Sequence, residues 1–312
     1  MIVSASRRTD IPAYYSDWFY RRLSEGFALI RNPINPHQVS KVLLDPQNVE
    51  CFVFWTKYPA QFMKRLDRLS CYKYYFQFTL TPYGSDIETN IPPKNLIIDT
   101  FKQLSDKIGP NRVVWRYDPI IFNAKSLNLD YHVEHFENLC KSLSGFTRKC
   151  VISFYDNYKF AARRCRELEI VEIEIATIER LGSHFAEIAK NYDLIVETCA
   201  ESVDLAKYGI MHGKCIDDRL VSEILGYKVS AARDKGQRKF CGCVKSVDIG
   251  AYSTCPGKCL YCYATRNHDA AAKLYQRHNP DSPLLLGELT AEDRITVKKS
   301  EKLRPNQPKL PL

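Results

Sequence analysis

The 312-residue chain has no apolar run close to the roughly 20 residues that a membrane-spanning helix requires. Its first ten residues, MIVSASRRTD, place two arginines and an aspartate ahead of any apolar stretch, which is not the layout of a signal peptide. A cytoplasmic location, with no membrane partner, is the expectation. There is no glycine-rich loop of the kind that cradles phosphates, and no serine–histidine arrangement suited to nucleophilic catalysis. Internal repeats and low-complexity stretches are absent too, so solenoids are not expected. What remains, at 45% hydrophobic and 26% charged residues, is the composition of a soluble globular protein able to bury a substantial core.

Cysteine, by contrast, is plentiful. In a reducing compartment disulfides are rare, so the clustered members of the twelve point to metal or catalysis. Cys51, Cys71, Cys140, Cys150 and Cys165 are scattered along apolar segments and read as buried packing residues. The other seven begin at Cys199, and five of them fall within CGCVKSVDIGAYSTCPGKCLYCYA, Cys241 to Ala264. The net charge of +9 leaves nucleic acid open as a partner. Part of the excess, however, sits in ITVKKSEKLRPNQPKLPL, whose five basic residues against one acid fit a solvated tail.

Six apolar, β-branched and aromatic runs suit buried strands: Met1 to Ser6, Cys51 to Thr56, Tyr74 to Leu80, Arg112 to Tyr117, Cys150 to Tyr155 and Leu194 to Cys199. Amphipathic helices are expected at Ser16 to Glu25, Pro59 to Leu69, Lys94 to Ile108, Asp130 to Ser144 (with Asp130 as N-cap) and Ile175 to Asn191. Strand–helix alternation of this kind is α/β with a parallel sheet, here read as a (β/α) barrel or partial barrel of the TIM type. Polar residues follow the strand ends in turn: Arg7, Arg8, Thr9 and Asp10; Thr56 and Lys57; Thr79 and Thr81; Arg116 and Asp118; Ser153 and Asp156; Glu197 and Cys199. Such a rim predicts a polar pocket. SRRTDIP could bind a carboxylate or phosphate through its guanidinium groups, or be a solvated loop with its own ion pair. Arg116 and Asp118 face the pocket or pair with each other. His132 and His135 read as surface or helix-packing residues, and the many aromatics as core.

The cysteines of CPGKCLYC are spaced CxxxCxxC on a short loop, behind a predicted strand at Val244 to Tyr252 and ahead of a predicted helix. Three thiolates are one short of a closed zinc site, unless His268 or a remote thiol joins them. A [4Fe–4S] cluster held by three leaves one iron open for chemistry. With Tyr261 before the last cysteine, the motif resembles that of the radical S-adenosylmethionine superfamily. The resemblance implies that Cys255, Cys259 and Cys262 ligate the cluster. It implies that S-adenosylmethionine is cleaved to a 5′-deoxyadenosyl radical, with an electron donor such as flavodoxin or ferredoxin. Arg7, Arg8, Asp10, Arg116 and Glu197 are cofactor-binding candidates by position, since no GGE-type triplet follows a strand. In that superfamily the motif precedes the barrel strands; here it comes last, so circular permutation is expected, with Val244 to Tyr252 inserted beside Met1 to Ser6. SASRRTDIPAYY at the start, with the late cysteines, also resembles an uncharacterised bacterial family of the domain-of-unknown-function type.

Cys199, Cys215, Cys241 and Cys243 could converge into a second site that suits an auxiliary [4Fe–4S] cluster or zinc, with His212 as a replacement ligand; alternatively Cys199 and Cys215 are core thiols and only the CxC pair matters. The expected division is 1–235 barrel-like core, 236–290 cysteine-rich segment packed on the same domain, and 291–312 basic tail. A zinc-stapled nucleic-acid-binding protein and a non-catalytic iron–sulfur electron carrier are the rival functions.

Overall fold

A computed structural model describes residues 1–304. Every one of the apolar runs is a strand: β1 (Ile2–Ala5), β4 (Cys51–Thr56), β5 (Tyr74–Thr79), β6 (Val113–Ile120), β7 (Lys149–Phe154) and β8 (Ile195–Thr198). Two short strands, β9 (Met211–His212) and β10 (Val247–Asp248), complete an eight-stranded sheet in the order β10-β1-β4-β5-β6-β7-β8-β9, parallel throughout. β10 lies beside β1 as expected, with Val3 opposite Val247 and Ser4 opposite Asp248. The order runs from edge to edge; among the described residues no pairing joins β9 to β10, so the fold is an α/β parallel sheet without a demonstrated barrel closure.

Helices α1 (Ile11–Tyr14), α2 (Ser16–Glu25), α3 (Lys94–Ile108), α4 (Leu129–Leu143), α5 (Lys159–Arg164) and α6 (Ile175–Asn191) follow the main strands. α6 buries Ile178, Leu181, Phe185 and Ile188, its helically spaced apolar stripe. Phe185 stacks on Phe136 of α4 with ring centroids 3.8 Å apart. Alternation along each strand divides the core in two. Val3, Phe52, Phe54, Phe76 and Trp115 pack in the larger cluster with the helices. Ile2, Cys51, Val53, Tyr75, Val114 and Val151 pack in a second cluster with α7 (Asp218–Leu225) and the segment around Cys241. Each large apolar side chain fully buried in this way contributes about 1.5–3 kcal/mol.

Several expectations shift. The N-cap of α4 is Asn128, whose side chain accepts from Tyr131 N, rather than Asp130. Pro59 to Leu69 is not an α-helix but a 3-10 segment, Phe62–Leu69, kinked at Arg65. A second sheet went unread: β2 (Phe27–Arg31) pairs antiparallel with β3 (Gln38–Leu43), and β11 (Arg294–Val297) adds in parallel. The basic stretch therefore begins as a strand, and its Leu303 is buried, with its backbone N–H donating to Glu50. Residues 305–312 lie outside the described part. Cys51, Cys140, Cys150 and Cys165 are buried as read, but Cys71 is exposed. His132 is a core residue of α4, bonded to the Tyr117 hydroxyl and the Ile121 carbonyl. No helix is long and apolar enough to cross a membrane among the described residues.

Candidate functional site: two thiol groups on one cavity

The C-terminal strand ends surround a cavity of about 460 Å³. Of the strand-end polar residues singled out above, all line it except Thr81 and Glu197. Both thiol groups also line it, the triplet and the set at Cys199, Cys215, Cys241 and Cys243. A larger hollow of about 610 Å³ shares Phe154, Tyr155 and Asp156 with this rim, but Cys165 is the only cysteine on it. Convergence of chemistry, not size, singles out the smaller one.

The triplet loop is gripped from several sides. Asp248, at the end of β10, accepts from the Ser4 and Ser6 hydroxyls at 2.9 and 2.5 Å and from the Arg7 N–H at 2.8 Å. Gly250 then passes so close to Ser6 that a Cβ there would sit 2.2 Å from its Oγ, so a side chain is excluded. The Tyr15 hydroxyl donates to the Thr254 carbonyl at 2.6 Å. The segment after β5 runs alongside the loop: Glu88 bridges Cys259 in antiparallel fashion, Leu260 N–H donates to Ile87 O at 3.0 Å, and Asn90 Nδ2 donates to Pro256 O at 2.9 Å. On the other side Arg164 of α5 donates to the carbonyls of Leu260, Cys262 and Thr265.

Glu88 is the hub of this grip and is 1% exposed. Its carboxylate accepts from Lys57 at 2.7 Å, Thr81 at 2.7 Å, Lys94 at 2.5 Å and the Tyr261 hydroxyl. Burial alone would push Glu88 up, but Lys57 and Lys94 outweigh it and hold the carboxyl at about 2. Nothing around an isolated acid in SDIETN signals this role; its partners lie up to 173 residues away. Asp248 and Arg164 went unread for the same reason.

The cation that acts on Cys259, Lys57, is already paired with Glu88 at 2.7 Å. Burial, with Cys262 and Asp10 nearby, pushes Cys255 up to about 12. Burial also raises Cys259, against the pull of Lys57 and with Glu88, Cys262 and Cys255 adding to it. Such a set ionises readily only around a positive centre. His268 begins α8 (His268–Gln276) outside the cavity lining, where burial lowers it to about 4.

The second group is packed thiol to thiol. Cys199 and Cys215 have their sulfurs 3.1 Å apart, and the Cys243 sulfur accepts from Ile216 N–H at 3.3 Å. Hydrogen bonds from Cys215 and Cys241 push Cys243 down, and a bond from Cys215 lowers Cys199; the two donors are raised in turn. Arg116 Nη1 lies 2.7 Å from the Cys215 sulfur, and its Nη2 pairs with Asp118. Arg116 thus both faces the pocket and pairs with its neighbour. His212 is exposed on β9 and bonds Thr198, apart from the thiols. Among the described residues, no three Cys, His, Asp or Glu side chains are spread around a common point as they would be around a bound metal ion.

The remaining cofactor candidates fare differently. Arg7 and Arg8 reach the cavity but are turned toward Asp248, at 4.0 and 3.9 Å. Asp10 caps α1 through Ala13 N–H and accepts from Lys57 N–H at 2.8 Å, while burial raises it to about 6. Glu197 is drawn away from the cavity into a buried network with Lys149, Arg219 and Asp217. Its expected place on the rim is therefore corrected. Thr9 Oγ1 and Trp55 Nε1, by contrast, are buried atoms of cavity-lining residues and have no hydrogen-bond partner among the described residues.

A parallel α/β sheet carrying two sets of cysteines at its C-terminal rim is the class that fold and site define. Residues 2–264 match the family model described as Domain of unknown function (DUF1848), and the chain belongs to that family. No curated protein matches it. A solved structure described as a "putative alpha-L-fucosidase" from Bacteroides thetaiotaomicron VPI-5482 is 14% identical, with 75% of this chain and 83% of that one covered and a TM-score of 0.26. A likeness so distant carries no argument about this cavity.

Proposed function

We propose that the chain is a radical S-adenosylmethionine enzyme whose Cys255, Cys259 and Cys262 hold a site-differentiated [4Fe–4S] cluster. The carrying observation is that these three thiols sit on one loop, behind a strand paired with β1, and line a cavity at the C-terminal ends of a parallel sheet. The donor set fits the group. Cys255 and Cys259 are raised by burial and then by the neighbouring thiols, so they favour a positive centre, and no fourth cysteine belongs to the loop. When bound, such a cluster supplies an open iron and an electron for cleavage of S-adenosylmethionine.

The chain's own residues would do the rest. Glu88 and Arg164 hold the loop by its backbone from opposite sides, and Tyr261 locks onto Glu88. The unpartnered Trp55 N–H and Thr9 hydroxyl supply a donor and a donor–acceptor to a polar ligand in the cavity. Buried polar atoms left unmatched cost about 1–3 kcal/mol each, which a ligand with complementary groups would recover. Trp55, Tyr252, Tyr261 and Tyr263, which line the same cavity, would shield such a ligand from part of the solvent.

The test is anaerobic reconstitution with assay of iron, sulfide and zinc, then addition of dithionite and S-adenosylmethionine. Iron with matching sulfide, and formation of 5′-deoxyadenosine, are expected. Zinc in place of iron would sink the reading, and iron without cleavage would favour an electron carrier.

A further inference from the structure

Cys199, Cys215, Cys241 and Cys243 arrive from three stretches of chain: the end of β8, the loop before α7, and the turn that follows the basic connector at 230–240. None is more than 8% exposed. Their surroundings are fixed from the backbone outward. The Cys215 carbonyl accepts from the Tyr75 hydroxyl at 2.7 Å and from Gln77 Nε2 at 2.8 Å. Gly213 N–H donates to Thr198 O at 2.8 Å, tying the second strand of the site to the first. Val244 N–H donates to Ile216 O at 3.1 Å, which docks the CxC turn on the Cys215 loop. Arg233 Nε holds the Cys241 carbonyl at 2.8 Å.

Packing alone does not require this. Three backbone segments are pinned so that sulfur meets sulfur, where an apolar core would place methyl groups. A disulfide is not what the geometry prepares either: 3.1 Å between Cys199 and Cys215 is well beyond the ~2.05 Å of a bonded pair. A four-thiolate centre carries net negative charge, and a guanidinium is already in place to meet it, with Arg116 Nη1 2.7 Å from Cys215.

We propose that Cys199, Cys215, Cys241 and Cys243 form a closed four-thiolate centre for a thiophilic metal, separate from the triplet and set into the wall of the same cavity. Zinc and a [4Fe–4S] cluster share this donor chemistry. The proposal does not rest on what the triplet binds. Because both sets line one cavity, a ligand there lies within reach of both walls.

The test uses the full chain with C255A, C259A and C262A combined, purified without oxygen and offered zinc alone or iron with sulfide. The triplet-free chain is expected to hold one zinc, or about four irons with equal sulfide, and X-ray absorption should show four sulfur neighbours at about 2.3 Å. Adding C241A and C243A should reduce the metal to about a tenth or less. A folded triplet-free chain that takes up neither metal would overturn the proposal. Because that variant could misfold, the unsubstituted protein provides a second readout: metal should protect these four thiols from alkylation by N-ethylmaleimide. Alkylation at the same rate with and without metal, or a Cys199–Cys215 disulfide in protein kept reduced, would overturn it as well. In the unsubstituted protein, loss of the triplet's cluster with retention of this metal would count against the proposed function alone.

Discussion

The two thiol groups face one cavity but are built on opposite principles. The triplet is local in sequence, three cysteines within eight residues, and its support is remote: Glu88, Arg164 and Asp248 come from other elements. The second group is remote in sequence and local in contact, since its thiols bond one another directly. A locally spaced set can leave a ligand position open because its loop fixes only three donors. A set assembled from separate segments closes on itself, because each segment is placed by the others. The contrast is the one expected if the proposed centres differ, open and reactive at the triplet and closed and structural at the second group.

Removing one sulfur from each group should break the comparison most sharply. Cys259→Ala is expected to abolish formation of 5′-deoxyadenosine, a loss of about 1000-fold or more, equivalent to about 4 kcal/mol of barrier. Cys241→Ala should leave the triplet's iron in place. Complete loss of iron from each single variant, measured after reconstitution, would show that the two groups are one site.

The supports should differ next. Glu88→Ala removes the carboxylate that the largely buried Lys57 pairs with at 2.7 Å, and takes the same partner from Lys94. Orphaning a buried charge in this way costs about 3–5 kcal/mol in denaturant unfolding. Asp217→Ala, beside the second group, is expected to cost about 1–3 kcal/mol, because Lys149 keeps Glu197 as its partner. Similar losses would mean that the local contacts of the second group carry less than argued.

How much of this was legible follows the same division. The six main strands are continuous apolar runs, and periodicity located α2, α3 and α6 because their buried stripes are regular. β2 and β3 escaped because FALIR and QVSKVL mix polar and apolar residues and cover only a small second sheet. Rim residues were found from their place after strands, and Arg7, Arg116 and Asp118 do line the cavity. Glu197 shows the limit of that rule. It shares the face of its register partner Val151 but sits two residues below Cys199, where Lys149 and Arg219 take up its carboxylate, and a place near the strand end does not fix depth. Asp248 was hidden inside an apparent strand, since Ser4 and Ser6 are 244 and 242 residues away.

A site belonging to neither group provides the pH background for these comparisons. Burial lowers His132 from its ordinary 6.5 to about 4, and the neutral ring joins Tyr117 to Ile121. The unfolded chain therefore binds a proton below pH 6.5 that the folded chain refuses until about pH 4. Stability should fall as the pH drops through that window, by at most roughly 3 kcal/mol from this residue. Unfolding curves at pH 7 and pH 4.5 for the wild type and His132→Gln should show a shallower pH dependence in the variant. An unchanged slope would remove His132 as the cause.

The smallest expected effect tests whether the triplet's support is truly remote. Asn267 caps α8, directly after the cysteine loop, by accepting from the N–H groups of Asp269 and Ala270 at 3.0 and 2.9 Å. Asn267→Ala removes that cap and should cost about 1 kcal/mol. The loop itself is held by Glu88, Asn90 and Arg164 on elements that the cap does not touch. Iron content after reconstitution should therefore stay within error of wild type, although the melting temperature falls by a few degrees. If iron is lost in step with stability, the loop depends on its own downstream helix, and the triplet is as locally sustained as the second group.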